Sequence, residues 1–140
     1  MGGSVSTQNI NFEDMQYAQK QGQQYIIINT LPSNEQSCLI QCSINCNEEE
    51  STINNLLSNN KSVNIIVYGK NSNDKTIYNK INQLIELGFF NIYLYIGGMF
   101  EWMLLQDIYG NELFPTTTNE LDIIQFSPKK KLNVKSLSYS

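Results

Sequence analysis

Runs of bulky apolar residues without polar alternation occur at residues 25–28 and 63–68. Such runs are typical of strands buried on both faces, as in parallel sheets. Residues 75–87 then carry apolar positions at helical spacing, Gly88 follows where a C-terminal cap belongs, and residues 91–96 return as a strand. This succession is a βαβ crossover. We therefore predict an α/β fold with a mostly parallel central sheet flanked by helices.

The remaining elements are shorter or less regular. Helices are predicted at 11–18, 48–57 and 97–109, where polar or small residues precede spaced apolar positions. Residues 39–44 could form a short edge strand or a turn, and residues 121–126 could form a last strand or a helix. No internal repeat is visible. The pattern predicts one α/β domain rather than a repeat array.

Length and patterning divide the chain into three parts. A chain of 140 residues supplies one hydrophobic core. We expect a flexible N-terminal arm at 1–9, the domain at 10–126 and a basic C-terminal tail at 127–140. No apolar stretch reaches the length of about 18 residues that spans a membrane, and the start does not resemble a secretory signal. The expected location is the cytoplasm.

The composition removes several chemistries. The sequence contains no histidine, and all 9 basic residues are lysines. Histidine-dependent nucleophile pairs, histidine-bound zinc and bidentate arginine clamps for anions are therefore absent. A formal charge of -4 argues against nucleic acid as a partner. We expect no cofactor.

Three cysteines, Cys38, Cys42 and Cys46, follow each other at a spacing of four residues. Their odd number in a chain without an export signal favours free thiols over disulfides. Three thiols without histidine leave a zinc site one ligand short, so no metal site is predicted. Small packing residues are the preferred interpretation.

The arrangement resembles the rhodanese-like domain, a small α/β fold whose active-site loop follows a buried strand and leads into a helix. The resemblance covers residues 10–110. Its most specific pieces are the strand at 65–68, the turn at 87–89, the strand at 91–95, and the pair Gly97-Gly98 with Trp102 four residues after the second glycine. It implies the rhodanese-like fold.

The resemblance also implies where the chemistry of the family would lie. Members carry a six-residue loop that begins with a nucleophilic cysteine, which accepts a sulfur atom as a persulfide. The matching residues here are Gly69, Lys70, Asn71, Ser72, Asn73 and Asp74. Glycine stands at the cysteine position, lysine and aspartate stand at two arginine positions, and serine replaces a glycine. The loop therefore lacks the nucleophile, and we predict a catalytically inactive domain.

Other positions of the family pattern differ as well. Its Asp-x-Arg after the early strand is matched by Asn29-Thr30-Leu31, and its His-x-x-Gly-Ala by residues 38–42. We expect Lys70 to offset the charge of Asp74, and Gly69 to belong to a polar connection that needs a positive φ. Each of these differences removes a feature of the site while leaving the scaffold.

Two alternatives to an inactive domain stay open at the level of sequence. A sulfurtransferase could use Cys38, Cys42 or Cys46 as a nucleophile outside the usual loop, although no cation near them in sequence would activate a thiol. A small-anion sensor could use the backbone amides of the loop together with Lys70.

Both termini carry features that suit a membrane surface. Residues 1–6 fit the N-myristoylation pattern, in which Gly2 becomes the acylated N-terminus; a linker or an unmodified start is the alternative. One acyl chain gives only marginal binding, and Lys129, Lys130, Lys131 and Lys135 could supply the second signal on anionic lipid. A solvated tail is the alternative interpretation of these lysines.

Aromatic residues are the remaining candidates for contacts. The chain has 8 tyrosines and 6 phenylalanines. Phe89, Phe90 and Phe114 are candidates for a protein-binding surface, with core packing as the preferred alternative. The resulting hypothesis is an inactive rhodanese-like domain that acts as a membrane-tethered binding or scaffold module, with residues 69–74 as a docking edge.

Overall fold

The computed structural model describes residues 6–132 and contains five strands and four α-helices in that range. The strands are β1 (Gln8–Ile10), β2 (Tyr25–Asn29), β3 (Ser43–Ile44), β4 (Asn64–Tyr68) and β5 (Ile92–Tyr95). The helices are α1 (Phe12–Gln19), α2 (Cys46–Asn59), α3 (Thr76–Glu86) and α4 (Gly98–Tyr109). Short 3-10 helices lie at Gly22–Gln24, Ser33–Glu35 and Ile123–Phe126.

The five strands form one parallel sheet in the order β1-β5-β4-β2-β3. The central strand β4 pairs with β2 on one side and β5 on the other, with Tyr68 opposite Asn29 and opposite Tyr95. Helix α3 connects β4 to β5, which confirms the predicted βαβ crossover. The predicted α/β class with a parallel central sheet is therefore confirmed.

Alternate residues of β4 belong to two separate hydrophobic cores. Ile66 and Tyr68 pack on the face covered by α1 and α4, whereas Ile65 and Val67 pack on the face covered by α2 and α3. Both cores exclude solvent, which explains why the strand shows no polar alternation. The central strand is thus buried on both faces, and the loop that follows it starts from a rigid base.

Polar caps set the starts of two helices. The Asn11 side chain accepts a hydrogen bond from the Asp14 amide, and the Asp14 carboxylate accepts one from the Asn11 amide, which forms a capping box. Helix α2 begins at Cys46, two residues before the predicted start, because Asn45 caps it by accepting from the Asn47 amide. The prediction placed the start at the acidic residues and overlooked this cap.

The domain begins earlier in the chain than the predicted boundary at residue 10. Strand β1 starts at Gln8 and pairs with the edge of β5. Gln8 and Asn9 are exposed and polar, so the hydrophobic pattern could not reveal them. At the other end, residues 123–126 form a 3-10 helix, and Phe126 is buried against α4 and the sheet.

The two termini lie outside the described residues, and this includes Gly2 and Lys135. Within residues 6–132, every helix falls short of the length or apolar character needed to cross a bilayer.

Candidate functional site

The candidate site lies at the carboxyl ends of β2, β4 and β5, where the following segments converge. Open parallel sheets bind ligands at this edge. The Thr30 amide, just after β2, donates to the Tyr68 carbonyl at the end of β4 with a separation of 3.0 Å. The Thr30 and Thr76 hydroxyls lie 2.7 Å apart, so the start of α3 is also joined to β2. The loop at 69–74 is therefore held between these segments.

Backbone hydrogen bonds from the start of α4 fix the first half of the loop. The Met99 amide donates to the Gly69 carbonyl at 3.0 Å, and the Phe100 amide donates to the Lys70 carbonyl at 2.9 Å. Gly98 allows this approach: it has φ +66, and a Cβ there would lie 2.6 Å from the Gly69 carbonyl oxygen. The second glycine of the Gly97-Gly98 pair is thus required both by its backbone conformation and by the closeness of the loop.

The carboxylate of Asp74 turns back into the loop that it ends. Its Oδ2 accepts from the Lys70 amide at 2.8 Å, and its Oδ1 accepts from the Thr76 amide at 3.0 Å and from the Thr76 hydroxyl at 2.6 Å. Burial of the carboxyl raises its pKa, but these hydrogen bonds, with nearby Lys70, outweigh burial and hold the pKa below its ordinary value. The loop therefore contains its own anion.

Gly69 lies directly beneath this carboxylate. A Cβ at residue 69 would lie 2.6 Å from Asp74 Oδ2 and 3.0 Å from Ile77 Cγ2. The expectation that the connection needs a positive φ is wrong, because Cys42 and the glycines at 22, 88, 98 and 110 are the residues of the described range with positive φ. Residue 69 is therefore glycine because there is no space for a Cβ, and not because the backbone there needs a conformation that only glycine adopts easily.

The side chain and the backbone amide of Lys70 bind two different acids. Its ammonium group forms an ion pair with Glu35, with Nζ 3.0 Å from Oε1, whereas Asp74 binds the Lys70 backbone amide. Lys70 still contributes to the lowered pKa of Asp74, although the two side chains form no ion pair within residues 6–132. Both partners of the Lys70–Glu35 pair remain partly exposed, so solvent screens it.

Asn71 joins the loop to the C-terminal segment. Its side chain is only 8 % exposed. Its Nδ2 donates to the Phe126 carbonyl at 2.9 Å, and its Oδ1 accepts from the Asn73 amide at 2.9 Å. Ser72 and Asn73 are exposed at the tip of the loop. The hydrogen bond from Asn71 fixes the point from which the chain continues across the site.

A cavity of about 680 Å³ lies over the loop, and we call it the lysine groove. Its lining includes four lysines: Lys70, Lys75, Lys129 and Lys131. Lys130 is exposed and does not line this groove. The predicted basic tail is therefore divided: Lys129 and Lys131 line the groove, Lys130 does not, and Lys135 lies outside the described residues.

The three cysteines lie in different environments. Cys38 is buried, and its thiol donates to the Thr118 carbonyl; Cys42 is exposed and has φ 76; Cys46 is half-buried at the start of α2. The interpretation as buried packing residues thus holds only for Cys38. None of the three lines the lysine groove.

The position matched to the family's Asp-x-Arg has a structural role. Asn29 is buried, and its amide group exchanges hydrogen bonds with Gln36 while also binding the Ile44 carbonyl and the Leu31 amide. These bonds satisfy the buried side chain without any charge. The residue connects β2 to β3 and to the intervening loop.

Of the aromatic candidates, one reaches the surface. Phe89 and Phe114 are buried in the two cores, whereas Phe90 is 50 % exposed. Trp102 is also buried; its Nε1 donates to the Pro115 carbonyl at 3.0 Å, and its ring packs edge-on against Phe114. Core packing accounts for most of the aromatic content that suggested a binding surface.

The protein is thus a small α/β domain, with a parallel sheet covered on both faces and a loop and helix after the central strand. Domains of this class carry their sites at the carboxyl ends of the strands. The family model of the Rhodanese-like domain matches residues 13–105, and the chain belongs to this family. The matched range ends before the segment that supplies Lys129 and Lys131.

Two solved structures share the fold. The crystal structure of the Alr3790 protein from Anabaena sp. is 20% identical, with 83% of this chain and 84% of that chain covered and a TM-score of 0.56. The solution NMR structure of the rhodanese-like domain from Anabaena sp. Alr3790 is 21% identical, covers 88% of this chain and 86% of that chain, and has a TM-score of 0.55. A search of the curated proteins found no match.

Sequence reasoning located the loop but missed three of its features. These are the inward turn of Asp74, the need for Gly98 beneath the loop, and the return of residues 126–131 across it. The Asp-x-Thr pattern at Asp74 and Thr76 is a signal for a capping carboxylate at the start of a helix. No pattern near Asn71 indicates that its partner is Phe126.

Proposed function

We propose that this domain is a binding module that does not transfer sulfur itself. The observation that supports this most strongly is the packing at residue 69: Gly69 offers no nucleophile, and the Asp74 carboxylate fills the space where a side chain would begin. A persulfide mechanism requires a thiol there, or a substitute within reach of the same loop. The proposal keeps the family's scaffold and dispenses with its chemistry.

The other potential nucleophiles lend little support to an enzyme. Cys38 is enclosed and donates its thiol hydrogen to the Thr118 carbonyl. Cys42 and Cys46 are more accessible, but neither contributes to the cavity over the loop. The chain also has no histidine to act as a base. An activated thiol normally has a cation, a metal or a base beside it.

The test is sulfur transfer from thiosulfate to cyanide, followed together with the intact mass of the protein. We expect no thiocyanate above the uncatalysed rate and no gain of a sulfur atom. Thiocyanate formation, or a persulfide that disappears when Cys42 or Cys46 is changed to serine, would overturn the proposal in favour of a sulfurtransferase.

Two variants show whether the loop itself explains the inactivity. Gly69→Cys places a thiol under the Asp74 carboxylate, whereas Gly69→Cys with Asp74→Ser also removes the obstruction. We expect sulfur uptake from the double variant only. Uptake by neither variant would mean that the loop lacks more than a thiol and space, while the lack of activity in the native protein would still stand.

The second part of the proposal is attachment to a membrane surface through acylation of Gly2, assisted by the basic C-terminal residues. Of the four lysines expected to contribute, Lys129 and Lys131 line the lysine groove, which leaves Lys130 and Lys135 for the lipid surface. The start of the sequence fits the acylation pattern, and one acyl chain needs such a second signal for stable binding. Coexpression with an N-myristoyltransferase should add a myristoyl group to the native protein and none to Gly2→Ala. An unmodified native protein would overturn this part.

A small-anion sensor is the less favoured alternative. The Lys70 and Thr76 amides already bind the Asp74 carboxylate, so an added anion would have to displace it. Thermal unfolding with thiosulfate, sulfate and phosphate should therefore give no shift specific to any of these anions. A shift that is lost on Lys70→Gln would favour the sensor.

A further inference from the structure

The lysine groove concentrates positive charge on an acidic protein. The chain has a formal charge of -4 and 9 basic residues, all lysines. Four of them, Lys70, Lys75, Lys129 and Lys131, line this one cavity. Asp74 is the single carboxylate of the described residues in the lining, and both of its oxygens are engaged by the loop and by Thr76. The groove thus has an excess of cations.

Three of these lysines have no acidic partner within the protein as described. Lys70 pairs with Glu35, but Lys75, Lys129 and Lys131 form no ion pair within residues 6–132. The positions of Lys129 and Lys131 are set in part by a hydrogen bond that anchors the C-terminal segment. Asn71 binds the Phe126 carbonyl, and Phe126 is buried, so the segment that carries Lys129 is anchored beside the loop.

We propose that the lysine groove binds an acidic segment of a protein partner, with separate carboxylates held by Lys75, Lys129 and Lys131. The proposal rests on the proposed function as a binding module and specifies the chemistry of its partner. The groove volume of about 680 Å³ is within the range that encloses a short stretch of peptide.

The chemistry of the groove favours several separated carboxylates over a single phosphate group. Bidentate recognition of a single phosphate group uses arginine, and this chain contains none. Of the backbone amides around the loop, those of Lys70, Asn73 and Thr76 are bound by the Asp74 and Asn71 side chains, which leaves fewer amides for a phosphate group. Lysines act as individual point charges, and here they come from separate segments of the chain.

The contribution of Lys129 and Lys131 makes this site particular to this chain. The family match ends at residue 105, well before either lysine. A domain that had only the matched region would lack half of the groove's lysines. Binding should therefore depend on the C-terminal segment and not on the loop alone.

The experiment uses the full chain and two dye-labelled peptides, one of alternating glutamate and serine and one with glutamine in place of glutamate. Fluorescence anisotropy should detect binding of the glutamate peptide at low salt, weakening as salt increases, and much weaker binding of the glutamine peptide. Equal binding of the two peptides, or none of either, would overturn the proposal.

Matched variants locate the site. Lys129→Gln with Lys131→Gln should weaken binding of the glutamate peptide about tenfold, since two exposed ion pairs together contribute about 1.4 kcal/mol. Lys20→Gln with Lys61→Gln changes the net charge equally at exposed positions outside the groove and should alter affinity by less than about twofold. If both double variants lost the same affinity for the glutamate peptide, net charge alone would explain binding, and the groove would not be the binding site.

A vesicle-binding measurement distinguishes an acidic peptide from anionic lipid as the ligand of the groove. If the groove variant loses binding to phosphatidylserine vesicles but keeps its affinity for the glutamate peptide, the groove is a lipid site and the proposal is wrong. The sulfur-transfer assay is independent of these measurements. A persulfide would refute the proposed inactivity and leave the peptide result standing, whereas failure of peptide binding would leave the inactivity untouched.

Discussion

Replacing Gly69 with alanine tests the packing on which the proposed function depends. The added Cβ would lie 2.6 Å from Asp74 Oδ2, a distance that cannot persist, and 3.0 Å from Cγ2 of buried Ile77. The carboxylate is the more movable neighbour, so it should swing outward and lose its hydrogen bond from the Lys70 amide, which is 2.8 Å long in the native loop. The substitution therefore acts through Asp74.

The magnitude follows from two opposing effects. A hydrogen bond to a charged group contributes about 1.5 to 3 kcal/mol. Alanine also reduces the conformational entropy of the unfolded chain, which stabilises the folded state by about 0.4 to 1 kcal/mol. We expect Gly69→Ala to lower the free energy of unfolding by about 1 to 2 kcal/mol, which corresponds to a decrease in Tm of about 3 to 6 °C.

A double-mutant cycle with Asp74→Ala provides the control. Urea unfolding is measured for the native protein, for each single variant and for the pair. Once the carboxylate is gone, Gly69→Ala should cost less than about 0.5 kcal/mol, since only the 3.0 Å contact with Ile77 Cγ2 remains and the entropic gain offsets it. An equal cost in both backgrounds would refute the reasoning, because the carboxylate would then not be the obstacle.

Three further predictions concern the surroundings of the loop. Asn71→Ala should destabilise the domain by about 1 to 2 kcal/mol and increase hydrogen exchange in residues 127–131, because the Phe126 carbonyl loses its buried donor. The lowered pKa of Asp74 means that its stabilisation is complete above about pH 5 and is lost as pH falls through the folded-state pKa; Asp74→Asn should flatten this acid limb of stability against pH. In the native protein, iodoacetamide should modify exposed Cys42 well before buried Cys38, as followed by peptide mass spectrometry.

Patterns of burial made most of the sheet predictable. The runs that became β2 and β4 are apolar because both of their faces are covered, and this signal is local. Strand β1 gives no such signal. Gln8 and Asn9 are exposed, and the strand exists because the edge of β5 offers backbone partners to a chain that passes alongside it. Hydrophobic periodicity does not report such a pairing.

The candidate site was predictable in position but not in its internal arrangement. The order of strand, loop and helix predicted a loop at residues 69–74, and these residues include no cysteine. The sequence does not show that Asp74 points inward, because this depends on the distance from its carboxylate to the Lys70 amide. The lysine groove depends on a contact between Asn71 and Phe126, which are 55 residues apart in sequence.

The loop conformation is held by the start of α4 and by Asp74, and none of these contacts requires a nucleophile at residue 69. The Gly69 and Lys70 carbonyls are held by the Met99 and Phe100 amides, bonds that any residue except proline could make at these positions. The Lys70 and Thr76 amides donate to the Asp74 carboxylate, which is an anion supplied by the chain itself. A loop stabilised in this way needs neither a substrate nor a nucleophile to keep its conformation. The surface around it is then free to be built from other segments, and the lysines beyond the family match are the part of that surface best suited to a partner.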